Sequence, residues 1–187
     1  IPLSQEIQHA KNYMNIQQIR FKNKFSVHFD VEEEVLHCLT VKLILQPILE
    51  NAIYHGMEGM DGDGEIDVMG KILTEDGLPL ILLSVEDNGF GMPPEKAESF
   101  LNNEMEISSF SDQKKRGSGV GLINVHRRIQ LRFGAQYGLK IISAPDEGTT
   151  VQLRLPPIEY TEETQKSLEH GNMHSSSSGF HGGGRNS

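Results

Sequence analysis

Four short stretches carry residue types that act on ligands. "DNGFG" at 87–91 follows the apolar run "LILLSV" and sets a carboxylate beside closely spaced glycines. Such a stretch is either a strand-ending turn, since Asp and Asn favour turns and glycine admits positive φ, or a backbone cleared of side chains for a ligand. "GSGVGL" at 117–122 places three glycines ahead of a helical pattern, where exposed N–H groups suit a phosphate. It lacks both the preceding strand of a Rossmann fingerprint and the Lys-Ser/Thr of a Walker loop. In "ENAIYHG", Asn51 and His55 lie four apart on one helix face. A polar amide in an otherwise apolar helix needs a partner, which is either a core hydrogen bond or a ligand-bound cation. "EGTT" ahead of "VQLRLP" puts Thr149 and Thr150 at the mouth of a strand, a common opening when it stands alone.

The elements that must position these residues follow from periodicity. "PLSQEIQHAKNYMNIQQIRFKN" keeps helical spacing through Ile7, Ala10, Met14 and Phe21, with Ser4 available as N-cap. "KFSVHFDVE" alternates as a half-buried strand. "VKLILQPILENAIYHG" returns to helical spacing, with Pro47 opening its second segment at the first turn and Gly56 as a natural C-terminal stop. "GEIDVMGKIL" and "LPLILLSVED" form a hairpin across "TEDG", and "LKIISAP" and "VQLRLP" a second across "DEGTT". "PPEKAESFLNN" reads as a short helix, "EMEISSFSDQKKRGSG" as a loop, and "GLINVHRRIQLRFG" as a helix with Leu122, Val125, Ile129 and Phe133 on one side. This order predicts an α/β fold: a two-layer α/β sandwich, its mixed, mostly antiparallel sheet carrying helices on one face. One domain is expected over 1–158. Residues 159–187 are rich in Ser, Gly and His and are expected to be a disordered tail, either native or a cloning remnant. Its His170, His174 and His181 offer weak metal binding at most.

Charge and composition narrow the ligand. A net charge of -9, from 17 basic and 26 acidic residues, argues against non-specific nucleic-acid binding. An anionic ligand would require local cations, backbone N–H groups or a metal ion. The lone Cys38 excludes an internal disulfide and suits a reducing cytoplasm. No apolar run approaches the roughly 18 residues of a membrane-spanning helix. The chain begins at Ile1, so it is expected to be a piece of a longer protein whose membrane span lies elsewhere.

Taken in order, the four stretches resemble the N, G1, G2 and G3 boxes of the GHKL (Bergerat-fold) nucleotide-binding family, which includes histidine kinases, DNA gyrase, Hsp90 and MutL. "PLSQEIQHAKNYMNIQQIRF", "LQPILENAIYHG" and "GVGLINVHRRIQLRFG" are similar to recurring stretches of LytS/YesM-type sensor histidine kinases, and the resemblance covers about 2–156. It implies ATP and Mg²⁺ as ligands. Asp87 would accept a hydrogen bond from the adenine amino group, Gly89 and Gly91 would let backbone pass close to the base, and Thr149 would lie near the adenine. Residues 102–118 would form the ATP lid, with Gly117, Gly119, Val120, Gly121 and Leu122 closing on the phosphates and Lys114, Lys115 and Arg116 supplying cations. Asn51 would bind Mg²⁺, and Glu50, Asn51 and His55 are the candidate catalytic residues.

Two positions depart from the family pattern. Pro47 stands four residues before Asn51, where ATPases of the superfamily carry a water-activating Glu; this disfavours a hydrolase and suits a kinase. Glu50 either reaches the water shell of the metal or is structural. Tyr54 occupies a position where histidine kinases often carry a phosphate-reaching Lys, leaving His55 or the lid cations to compensate. The resemblance implies transfer of the ATP γ-phosphoryl group to a histidine on a separate, upstream helical dimerisation domain, with a response regulator served indirectly. His9 lacks the Phe and Asn context of that acceptor. The parent protein is expected to be a membrane-anchored homodimer and this segment its cytoplasmic part, without contact to membrane or nucleic acid. The alternative is a nucleotide-responsive binding module without phosphotransfer.

Overall fold

Apolar residues three and four apart make the first helix one-sided, and they bury it. In the computed structural model, which describes residues 1–57, 60, 62–99, 101 and 120–171, α1 (Leu3–Arg20) turns Leu3, Ile7, Ala10 and Met14 inward together with Glu6 and Gln17. Ser4 is not its cap. The helix already begins at Leu3, whose N–H donates to the Cys38 carbonyl at 2.8 Å while Pro2 bridges to Leu39. A neighbouring chain segment thus does what a capping side chain would do.

β1 (Phe25–Val31) leads through the short α2 (Glu33–Leu36) to α3 (Leu45–Asn51). Pro47 is the third residue of α3, within the first turn, where its missing N–H breaks no helical bond. Gly56 does not stop the helix. Beyond Asn51 the coil widens into a π-helical turn over Ala52–Met57 that contains it. β2 (Gly64–Glu75) and β3 (Leu78–Asp87) form the expected hairpin. Asp76 and Gly77, both at positive φ (51° and 78°), make the tight two-residue turn that Asp-Gly favours. α4 (Pro94–Ser99), α5 (Val120–Phe133), β4 (Gly138–Ser143) and β5 (Thr149–Leu155) complete the expected set.

The five strands run in the order β1-β2-β3-β5-β4, with β1 parallel to β2 and the other neighbours antiparallel. One face alternates into the core, and α1, α3 and α5 lie side by side over it. Register aligns the core in rows across the sheet. Gly70, Leu83, Leu153 and Leu139 form one row; Val68, Val85, Val151 and Ile141 form the next. The two-layer α/β sandwich follows from this one-sided burial.

The tail requires a correction. Residues 156–160 run beside 37–39, with Leu39 N–H donating to the Ile158 carbonyl and Tyr160 N–H to that of His37. α6 (Glu162–Glu169) follows, opened by a capping box between Thr161 and Thr164. Its Leu168 is buried, and the Leu168 carbonyl accepts from Arg132 Nη1 of α5 at 3.1 Å. One apolar side chain and a good cap order a stretch whose bulk composition argues for disorder. The three tail histidines divide accordingly: His170 caps α6, while His174 and His181 lie outside the described residues.

Leu168→Ala should therefore destabilise the domain by roughly 2–3 kcal/mol, as for other buried Leu truncations. Urea unfolding checks this, and an unchanged midpoint would show that α6 contributes nothing to the fold.

Candidate functional site

The apolar rows of the sheet end abruptly. Beyond Val68–Val85–Val151–Ile141, the next row on the helix-covered face is Ile66, Asp87, Thr149 and Ser143. Three polar side chains, each buried, sit where the pattern calls for apolar ones. This row joins the "DNGFG" exit of β3 to the "GTT" opening of β5. The Asp146 N–H, donating to the Phe90 carbonyl at 2.7 Å, holds the two loops together.

Asp87 is 6% exposed. Burial pushes its carboxyl up from 3.8 to about 6, against the opposing pull of backbone N–H groups from Gly89 and Thr149; Glu86 adds to the rise. Gly89 N–H donates to Oδ1 at 2.9 Å. Among the described residues no Lys, Arg or His forms an ion pair with it. A carboxylate has about four acceptor positions, so two N–H bonds leave room for a donor from outside the chain.

The hydroxyls beside it are polarised in a fixed sense. Ser143 Oγ donates its only hydrogen to the Gly148 carbonyl at 2.8 Å and accepts from Met92 N–H at 2.9 Å. Its 2.8 Å contact with Thr149 Oγ1 must then be donated by the threonine, leaving that oxygen as an acceptor. Ser143 was absent from the expected site. Its signal is visible in β4, where it follows Leu139 and Ile141 at the period of two and is polar where an apolar residue belongs.

The glycines act mainly on the protein's own backbone. A Cβ at Gly89 would lie 2.3 Å from Gly56 Cα, and one at Gly56 only 2.9 Å from Asp87 Oδ1. The π-helical turn and the β3 exit therefore touch through two residues without side chains. Gly91, at φ +65°, would likewise drive a Cβ to within 2.0 Å of the Ala144 carbonyl oxygen. Asn88 completes the anchoring: its Oδ1 accepts from Glu65 N–H at 2.7 Å and its Nδ2 donates to the Asp63 carbonyl at 3.0 Å.

Asn51 ends α3 at 9% exposure. One turn earlier Pro47 meets α5, its Cβ 3.3 Å from where a Cβ on Gly121 would stand. Glu50 faces elsewhere. It accepts from Gln46 Nε2 at 3.2 Å, Gln46 Oε1 in turn meets His9 Nε2 of α1 at 2.9 Å, and Glu50 and Tyr54 both help burial push the Tyr13 phenol up. Glu50 is thus linked to α1 through Gln46 and its electrostatic influence on Tyr13. Tyr54 also turns to α1: its hydroxyl accepts from Arg20 Nη1 at 3.3 Å, and Phe21 packs against its ring edge-on. Leu122 is a core side chain, so its backbone N–H in the first turn of α5 is what it can offer a ligand. Lys114, Lys115, Arg116, Gly117 and Gly119 lie outside the described residues, as do the side chains of His55 and Val120.

The sequence profile of the histidine kinase-, DNA gyrase B-, and HSP90-like ATPase family matches residues 39–159. Sensor histidine kinase YesM of Bacillus subtilis is 33% identical over 156 residues, covering 83% of this chain and 24% of that protein. Sensor protein LytS of Bacillus anthracis is 32% identical over the same length, with 83% and 25% covered. The chain thus spans about a quarter of the length of these curated relatives. Among solved structures, the catalytic domain of histidine kinase ThkA superposes with a TM-score of 0.57 at 16% identity, covering 84% of this chain and 95% of that one. The mycobacterial sensor histidine kinase MprB gives 0.55 at 16% identity, with 86% and 97% covered. At these identities the structures show a shared fold.

The raised pKa of Asp87 has a definite sign. The folded state takes up its proton near pH 6 and the unfolded chain nearer pH 4, so this group's contribution to stability falls as pH rises through that window. Asp87→Asn does not titrate. Its stability relative to the parent chain should shift in the variant's favour by roughly 2–3 kcal/mol between about pH 4 and pH 7. Paired thermal melts across that range test it, and a difference independent of pH would contradict the burial of a charged carboxylate.

Proposed function

This chain belongs to the family of histidine kinase-, DNA gyrase B-, and HSP90-like ATPases, and from that premise we propose that it is the ATP-binding catalytic domain of a sensor histidine kinase. The observation that carries the reading is the buried Asp87 carboxylate, unpaired by any described cation and open to one further donor. The adenine amino group is such a donor, and Thr149 Oγ1 supplies an acceptor beside it. Guanine would present a carbonyl oxygen to Asp87 in place of an amine. Two acceptors would then face each other in a site shielded from water, which penalises the wrong base strongly.

The phosphates need positive charge in a protein of net charge -9. The N–H groups at the N-terminal end of α5 favour an anion. Lys114, Lys115, Arg116 and the adjoining glycines of the lid would add to this. Among the described residues no group of three His, Cys, Asp or Glu side chains could hold a metal ion. Asn51 would hold Mg²⁺ through its amide oxygen, a hard ligand of the kind that ion takes. When bound, it neutralises charge on the phosphates. Pro47 offers no carboxylate to activate water near Asn51, which supports phosphotransfer over hydrolysis.

In this reading the γ-phosphoryl group leaves ADP and forms a P–N bond with a histidine imidazole on an upstream helical domain. The parent protein would be a homodimeric membrane sensor serving a response regulator. No helix among the described residues is long and apolar enough to cross a membrane. His9 is held by Gln46 and is not the acceptor in this proposal.

Titration with Mg·ATP and Mg·GTP should show a preference for ATP on the order of 10²-fold or more, and failure of both nucleotides to bind would overturn the assignment. Adenosine, which has no phosphate to titrate, should bind about tenfold more weakly per pH unit below about 6, as Asp87 becomes protonated. Asp87→Asn should abolish both effects. Mixed with its upstream helical domain and labelled ATP, the chain should yield acid-labile phosphohistidine; its absence would reduce the assignment to nucleotide binding alone.

A further inference from the structure

The helix that ends in Asn51 has no local N-terminal cap. Ile44 occupies the N-cap position and makes no side-chain bond, where Ser, Thr, Asp or Asn would ordinarily serve. The turn into it is also unfavourable, because Leu43 sits at φ +58°, a conformation that a branched side chain rarely adopts. Something outside the segment must hold this turn. Glu6 of α1, 2% exposed, does so from one side. Its carboxylate accepts from the N–H groups of Leu43 at 2.6 Å, Ile44 at 3.3 Å and Leu45 at 3.4 Å. From the other side Arg128 of α5 donates to the carbonyls of Lys42 and Leu43. One turn is thus gripped by an anion on its donors and a cation on its acceptors, each delivered by a different helix.

We infer that Glu6 is a positioning residue for Asn51, acting as a cap in trans that fixes where α3 starts and hence where its last side chain stands. The inference rests on the reading of Asn51 as the ion-binding residue. Three donors converge on Glu6 and it has no hydrogen to give, so a carboxylate suits the place and a carboxamide does not. Negative charge at a helix N-terminus is favourable besides. Pro47 removes one more first-turn donor, so Glu6 meets most of the demand by itself. Asn51 lies six residues after Leu45, about 9 Å along a helix, too short a span to absorb a displaced start. Glu6 is buried and bonds to the turn that opens α3, so its effect passes through α3.

The test separates positioning from mere stabilisation. ATP affinity is measured with Mg²⁺ and with EDTA for the parent chain, Glu6→Gln and Asn51→Ala. Glu6→Gln should keep Mg-free ATP binding within about twofold of the parent, while the affinity gained from Mg²⁺ falls about tenfold. The double variant should lose no more of that gain than Asn51→Ala does. Equal weakening with and without Mg²⁺ would show a structural role only and overturn the inference. Without nucleotide, amide exchange at Leu43, Ile44 and Leu45 should accelerate at least tenfold in Glu6→Gln while the sheet stays protected. Unchanged exchange would overturn the cap itself, whatever the ligand. Should Glu6→Gln fail to fold, Arg128→Gln relaxes the same turn from its exposed side. It should lose several-fold of the Mg²⁺ gain, and an intact gain would count against the clamp. Failure of the parent chain to bind ATP would instead sink the nucleotide assignment, leaving exchange to decide the cap.

Discussion

A carboxylate withdrawn from water, with no counter-ion among the described residues, is costly to hold, and its surroundings are arranged to tolerate it. Asp87 stays buried because the sheet register places it on the helix-covered face, in line with Thr149 and Ser143. Two backbone N–H groups offset part of its desolvation without neutralising it. A basic side chain there would relieve the burial and occupy the acceptor. Unpaired by any described cation, the carboxylate opposes the stability of the fold, as polar groups at functional sites commonly do.

The helical layer divides its labour at α3. Two residues adjacent in sequence face different neighbours: Asn51 closes the helix on the edge where Pro47 meets α5, and Glu50 joins Gln46 and Tyr13 on the side of α1. The π-helical turn that follows carries Tyr54 to Arg20 and Phe21 of α1 and presents Gly56 to the β3 exit. A single helical stretch thus links α1, α5 and the sheet. Wide turns of this kind recur where a protein needs a local departure from regular geometry.

Most of the architecture was legible in the sequence, because its signals are local. Alternation along β1, β2 and β5 and helical spacing along α1 and α5 each arise from one element meeting one apolar layer. Both hairpins carried their own turn chemistry. The failures share a different character. α6 was hidden because a single leucine and a capping pair do not alter bulk composition. The true start of α1 and the stop expected at Gly56 were misread because the deciding partners, Cys38 and Gly89, are remote in the chain. Asp87 and Thr149 stood out through their flanking glycines. Ser143 and Glu6 did not, since a serine in a strand and a glutamate in an amphipathic helix are unremarkable until their neighbours are known.

The meeting of Gly56 and Gly89 has a meaning for how this sequence can change. A methyl group at Gly89 has no room while the Gly56 backbone keeps its place. A residue with a side chain at Gly56 would also press on Asp87 Oδ1. A replacement at Gly89 meets backbone, whereas one at Gly56 meets the end of a side chain that the site itself needs in place. The contact is therefore a fixed point for redesign: side chains around Asp87 can be varied, but Gly89 passes unaltered through any such series.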